Sequence, residues 1–495
     1  MKKAYNSVSG LFKHPATPVS LLILLPNLLF AADNTEDKEL NELLQGFNTT
    51  PTENQQTEPG EKSINHQDNI DELLSGFEEE PASIQETSLA TIEKKWDVTT
   101  LLSLSSSYNY QKKAPLPGKT DFQGLSRLKL KFQPEFRYKV SSKWSALVSG
   151  SAFYDAIYRL KNRSNYTKTV LDSNESELEL REAYVNGIIN RNFDIKLGRQ
   201  IVVWGKSDSI RVVDVLNPLD FREPGIVDIE DLRLPVTMLK ADYYFSNWNI
   251  SVIVIPEIRF NKMPVFGSDF GLSNSPPLQE KSPDNWTNPE FALAMNGVFS
   301  GWDLSFHGAH YYNDQAHVIH KSNSPNYLKH SQLNMLGVAT NFAIHNWLLK
   351  LEAAYIDGFE FSNLNQDFSR IDSMVGFDYA GITNTTLSVE MVNRHINKYV
   401  DDLASAPDMK KENEGQIALR YTGSFMREKL KLVALASFLG LNSDSGAFYR
   451  ASMEYELKDA FTIMLGGIIY QSGDSFLINQ IADNDRIFFD IRYSF

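Results

Sequence analysis

The stretch LKLKFQPEFRYKV, Leu128 to Val140, decides the reading of the chain. Successive side chains of an extended strand point to opposite faces. Leu128, Leu130, Phe132, Pro134, Phe136, Tyr138 and Val140 therefore share one face, and Lys129, Lys131, Gln133, Glu135, Arg137 and Lys139 share the other. The first face suits lipid and the second suits water. The segment is longer than a usual sandwich strand and long enough to cross a bilayer at a tilt.

Working outward, alternating segments of this kind recur from Trp96 to the C terminus, and the connections between them alternate in length. Short turns fall near 141–143, 190–191, 246–247, 300–301, 345–346, 381–383, 425–427 and 458–459. Longer polar connections fall near 111–123, 161–174, 205–235, 259–289, 314–330, 358–371, 397–413, 439–447 and 472–484. Short periplasmic turns and long outer loops produce this rhythm. The prediction is an all-β fold over 96–495: a transmembrane antiparallel β-barrel of about 18 strands, with 16 as the alternative count. No segment beyond about residue 30 is long and apolar enough for a spanning helix, so a closed barrel is the membrane structure open to this sequence. The chain ends on Ile487, Phe489, Ile491, Tyr493 and Phe495 in alternation with mostly polar residues. Tyr493 and Phe495 resemble the terminal signal read by the barrel assembly machinery of the outer membrane in Gram-negative bacteria, which makes that machinery and the outer-membrane bilayer expected partners.

Residues 1–31 read as an export signal. Lys2, Lys3 and Lys13 precede the apolar run Val19 to Phe30, which is too short to span, and cleavage is expected near Ala31 or Ala32. The chain has no cysteine, which excludes lipoprotein acylation, disulfides, thiol nucleophiles and thiolate metal sites. The net charge of -14 is uneven: residues 33–93 carry 16 acids against Lys38 and Lys62, and 94–495 is left near -3. With so few large apolar groups, 32–95 is expected to form a disordered periplasmic extension. Within it the sequences LNELLQGF (40–47) and IDELLSGF (70–77) repeat one pattern. Leu40, Leu43, Leu44 and Phe47, and again Ile70, Leu73, Leu74 and Phe77, are spaced to share one face of about two helical turns. They are expected to dock on a periplasmic transport protein, with a duplicated linker fragment as the alternative.

Catalytic signals fail on spacing. Gly205-Lys206-Ser207 ends like a phosphate-binding loop, but Gly198 lies too far upstream. His307 with His310, and His317 with His320, stand three apart, a spacing that sends strand side chains to opposite faces and away from a shared metal. No nucleophile elbow of the G-x-S-x-G type is present. No catalytic residue, cofactor, metal or nucleic-acid partner is expected, and an outer-membrane hydrolase is the least supported alternative.

The informative connection follows the fifth strand. Lys206, Asp208, Arg211, Asp214, Asp220, Arg222 and Glu223 interleave charge with Pro218 and Pro224 across 205–235. A connection this long is expected to fold into the lumen and narrow it, facing a wall that carries Lys129, Lys131, Arg137 and Lys139. The alternative is a rim element whose charges pair with one another. Taking Asn190-Arg191 as a two-residue turn puts residues whose numbers sum to 381 opposite one another, which sets Glu182 against Arg199 on the outward face. The expectation is a cross-strand ion pair near the outer rim. The alternative is a bulge at Gly198 that turns Arg199 into the lumen beside Arg181 and Lys196.

These residues also carry a resemblance. Gly198-Arg199-Gln200 with Trp204-Gly205 and Asp208, then Asp214 with Leu216-Asn217-Pro218 and Asp220, then Leu234-Pro235 with Met238-Leu239, together with the upstream run Leu180 to Tyr184 and the DELLSGF motif at 71–77, resemble a domain-of-unknown-function family of proteobacterial outer-membrane proteins. The specific motifs lie mainly within 178–239. Members are often encoded beside RND-type exporters and a lipid-carrier-like periplasmic protein, which implies envelope transport of a lipid or other hydrophobic compound. The expected function is a channel or porin-like barrel in such transport. The alternative is a plugged, non-conducting barrel that docks a periplasmic complex.

Overall fold

The computed structural model describes residues 94–495 apart from 113–119, 228, 272–277, 284–286, 321–324, 363 and 406. The export signal, nearly all of the acidic extension and both amphipathic motifs lie outside the described residues.

Strands form where the period-two pattern runs, and eighteen of them close into one antiparallel barrel. They are β1 Trp96–Asn109, β2 Gly124–Lys139, β3 Trp144–Asp155, β4 Ser176–Asn190, β5 Phe193–Gln200, β6 Val236–Phe245, β7 Trp248–Ile255, β8 Glu290–Phe299 and β9 Trp302–Tyr312. The second half comprises β10 Gln332–Ile344, β11 Trp347–Phe359, β12 Phe368–Ile382, β13 Thr385–Ile396, β14 Asn413–Phe425, β15 Leu430–Leu439, β16 Gly446–Lys458, β17 Phe461–Gln471 and β18 Arg486–Ser494. Each pairs with its sequence neighbours, and β1 pairs with both β2 and β18. Thr100 and Phe495 exchange backbone hydrogen bonds of 2.8 and 3.0 Å at the seam. Closure leaves no unpaired sheet edge at the two chain ends, as a hydrocarbon environment demands.

The turns on one side are tight. Positive φ at Ser246, Gly301, His345, Asn384 and Ala460 reverses the chain within a few residues, as a hairpin requires. The outward face of β2 shows Leu130, Phe132, Phe136 and Tyr138 exposed, while the inward Ser103, Ser105 and Ser107 of β1 are buried. On the loop side, helices α1 Ile157–Leu160 and α2 Lys168–Asn174 pack Ile157, Tyr158, Val170 and Leu171 with Phe122 and Tyr166 into a small cap.

The β4–β5 register differs from the sequence expectation. Asn190 faces Phe193, so Arg191 and Asn192 form the turn, and Ile189 is an extra residue that shifts the ladder by one. Ala183, not Glu182, then faces Arg199. A second irregularity, where β3 Val148 faces Ala183 and Gly150 faces Leu180, sets Arg181 and Glu182 together against Ser149. The expected Glu182–Arg199 pair is therefore replaced: Arg199 pairs with Glu257, and a Glu182 carboxylate oxygen accepts the Ile201 N–H at 3.3 Å. The alternative fails as well, because the ladder continues unbroken through Gly198. Gly198 has φ +128°, and a Cβ there would stand 2.2 Å from the Ala183 carbonyl oxygen, so only glycine fits.

Candidate functional site: a loop laid across the lumen

After Gln200 the chain leaves the wall, enters the barrel and returns at Val236. A clip at its neck fixes the entry. The Asn217 side-chain oxygen accepts the Val202 N–H at 2.8 Å, its amide donates to the Leu234 carbonyl at 2.9 Å, and Leu234 N–H donates to the Pro218 carbonyl at 2.7 Å. Gln200, fully buried, donates to the Met238 carbonyl at 3.2 Å. Asp214 accepts from the Trp204 N–H at 3.3 Å and lies 2.9 Å from Arg233 and 3.3 Å from Arg211. The motif residues thus tie the two ends of the loop together.

The leading limb docks on β9 to β13. Gly205, at φ +86° with no room for a Cβ beside Glu352, turns the backbone so that the Lys206 and Ser207 N–H groups reach the Glu352 carboxylate of β11, the latter at 2.9 Å, with Val213 N–H adding a third bond at 3.2 Å. Glu390 of β13 accepts from the Ser207 hydroxyl at 2.7 Å and from the N–H groups of Asp208, Ser209 and Ile210 at 2.7, 3.0 and 3.2 Å. Lys206 lies 2.5 Å from Asp303 of β9, and Lys350 of β11 bonds Asp208. Buried carboxylates are costly unless saturated with donors, and here the loop backbone supplies them. Between these contacts Val202, Trp204, Ile210, Val212, Val213 and Leu216 pack with the inward apolar residues of β6 to β14 in one buried cluster, including Met238, Ile253, Met335, Ile356, Met374 and Val392.

The trailing limb docks elsewhere on the wall. Glu223 lies 3.2 Å from Arg127 and 3.1 Å from Lys129 of β2. Burial alone would raise the Glu223 carboxyl, but these two cations outweigh it and hold it well below the usual carboxylate range. The Pro224 and Ile226 carbonyls accept from Tyr470 of β17 and Arg450 of β16 at 2.5 and 3.2 Å, and Ile226 packs with Ile468 and Phe488. Arg222 lies 2.7 Å from Glu177 of β4 and bonds Asp220. The loop therefore spans the lumen, tied to two well separated stretches of wall.

Of the expected wall cations, Lys129 is buried against Glu223, whereas Lys131 faces inward between Ser103 and Phe153. Arg137 lies 2.6 Å from Glu135, and Lys139 stands opposite Ser145. Lys196 lies over the Tyr184 ring at 3.6 Å. His307 is buried facing the lumen 4.7 Å from the Trp204 ring, and His310 bonds Asn334 at 2.8 Å. Tyr493 and Phe495 are exposed on the outward face, their rings 5.3 Å apart. Sequence reasoning missed Glu352, Glu390 and Lys350. Their signal was inward charge in otherwise apolar strands, which periodicity shows but cannot connect to a particular loop.

Fold and site together define a transmembrane β-barrel whose third long loop is folded into its lumen. The chain belongs to the family described as "Protein of unknown function (DUF1302)", which matches residues 105–495. No curated protein sequence matches it. Solved structures similar to it include OccK11 (OpdR) of Pseudomonas aeruginosa, at 9% identity and TM-score 0.45 over 81% of this chain and 95% of that one. OccAB2 of Acinetobacter baumannii matches at 8% and 0.48 over 81% and 98%. OmpT, an outer membrane protein of Vibrio cholerae, matches at 11% and 0.41 over 81% and 99%.

Proposed function

We propose that this protein is a constricted outer-membrane channel that takes part in envelope transport, with its N-terminal extension in the periplasm. The observation that carries this reading is the double docking of the 201–235 loop. Three donors reach Glu352 and four reach Glu390, while Glu223 is held by Arg127 and Lys129 on another part of the wall. Hydrogen bonds to charged groups contribute about 1.5–3 kcal/mol each, so the loop acts as a standing constriction rather than a freely swinging lid. The cargo is a lipid or other hydrophobic compound handed over by a periplasmic protein docked on the motifs at 40–47 and 70–77. Liposome swelling tests permeation. Vesicles holding the full chain should swell slowly in small neutral solutes and faster once 207–232 is deleted, and swelling in neither case overturns the reading.

A further inference from the structure

The barrel wall has a gap. β4 begins at Ser176, yet the β4–β5 ladder stops at Ala183 opposite Arg199, and no strand among the described residues pairs with the β5-facing edge of 176–182. Along their other edge these residues follow β3, with Tyr154 facing Ser176. At ~3.3 Å per residue and a tilt of ~40°, the eight residues of β5 rise about 20 Å from the turn side, short of an apolar band of about 25 Å. The gap therefore opens within the outer leaflet, where an uncovered strand edge is not tolerated.

A strap of side chains, not a ladder, covers it. Glu257 accepts from the Thr237 N–H and hydroxyl at 2.8 and 2.6 Å and pairs with Arg199. Arg259 donates to the Pro235 carbonyl at 2.7 Å and lies 2.7 Å from Glu179. Lys262 lies 3.0 Å from Glu179 and also pairs with Glu177. Glu177 and Glu179 belong to the inward face of β4, since Ser151, which faces Glu179, is buried. On the lipid side Leu178 is 86% exposed, with Leu180 and Leu197 exposed beside it.

We propose that the β4–β5 gap is a lateral portal through which an apolar chain passes between the lumen and the outer leaflet, with the 257–262 strap as its door. Opening it leaves every ladder of the barrel wall intact; it parts the side-chain contacts above, with Lys262 remaining bridged through its backbone to Leu219 and Phe221 of the lumen loop as the hinge end of the strap. The outer rim is leucine facing hydrocarbon, which admits an acyl chain and rejects an unaccompanied ion. This goes beyond constriction, and it rests on the reading that the lumen carries cargo.

The test uses the full chain in phosphatidylcholine vesicles that contain a phospholipid with a photoreactive diazirine at the end of one acyl chain, with adducts mapped by mass spectrometry. Adducts are expected on the strap as well as on lipid-facing Leu336. Closing a Glu179→Cys/Arg259→Cys protein with a short bis-maleimide should cut strap adducts about tenfold, a population shift of the size a two-state door gives, and leave Leu336 unchanged. A Glu177→Gln/Glu179→Gln protein should raise strap adducts. Strap adducts that are absent, or indifferent to the lock, overturn the portal. Because contact with acyl chains is read and not ion flow, a non-conducting barrel that labels on the strap overturns the channel and keeps the portal. A conducting barrel that does not label overturns the portal alone.

Discussion

The Ser207 hydroxyl donates to the Glu390 carboxylate at 2.7 Å, and that contact joins a loop from the fifth strand to the thirteenth strand of the wall. Ser207 also accepts the Ile210 N–H at 2.9 Å, so one side chain both turns the loop tip and fastens it.

Neutralising the docking carboxylates should loosen the leading limb. Glu352→Gln/Glu390→Gln keeps the shape but replaces one acceptor oxygen of each side chain with a donor amide that faces backbone N–H groups. The expected cost is ~2–5 kcal/mol, read as a lower temperature for loss of the heat-modifiable folded band and faster proteolysis within 205–215. Unchanged proteolysis would mean that these hydrogen bonds do not hold the loop.

The trailing limb has its own pH dependence. Glu223 is held below its ordinary range by Arg127 and Lys129, so its stabilisation is complete above ~4.3 and is lost only as pH falls below that. Ion conductance should therefore stay flat from neutral pH to about 4.5 and rise at lower pH, whereas Glu223→Gln should show the raised level throughout. A conductance step in wild type near pH 6 that vanishes in Glu223→Gln would contradict this assignment.

Closure of the barrel should depend on its last residue. Phe495 is bonded through its backbone to Thr100 while its ring lies exposed on the outward face. Phe495→Asp should slow the appearance of the folded, heat-modifiable form in cells without changing the 207–232 loop. Assembly at the wild-type rate would remove the terminal-signal role from Tyr493 and Phe495.

The two motifs of the extension should be separable from the barrel. Replacing Leu43, Leu44, Leu73 and Leu74 by alanine truncates half of each four-residue apolar stripe, ~1.5–3 kcal/mol of burial per side chain before ordering costs. Folded barrel should accumulate normally and the periplasmic cross-linked partner should disappear. An unchanged cross-linking pattern would count against docking.

The strand count and the eight turns were legible in the sequence because one face of each strand meets lipid and the other does not, so the period is strong and the tight turns break it cleanly. Register was not. The extra residue at Ile189 and the doubling of Arg181 and Glu182 against Ser149 change parity without disturbing composition, and together they take Glu182 out of register with Arg199. Gly198 drew attention as a bulge, but the structure uses it for close approach to Ala183 within a continuous ladder. The entry of 201–235 into the lumen could be expected from its length and charge. Its anchors could not, since Glu352 and Glu390 lie well over a hundred residues downstream and nothing local marks them as partners of Ser207.

On the function proposed above, the 201–235 loop narrows an otherwise open barrel. Single-channel recording in planar bilayers tests it directly, comparing the full chain with a variant lacking 207–232. Small, steady conductance steps are expected for the full chain and steps several-fold larger for the deletion. Equal conductance in the two proteins, or none in either, would contradict it.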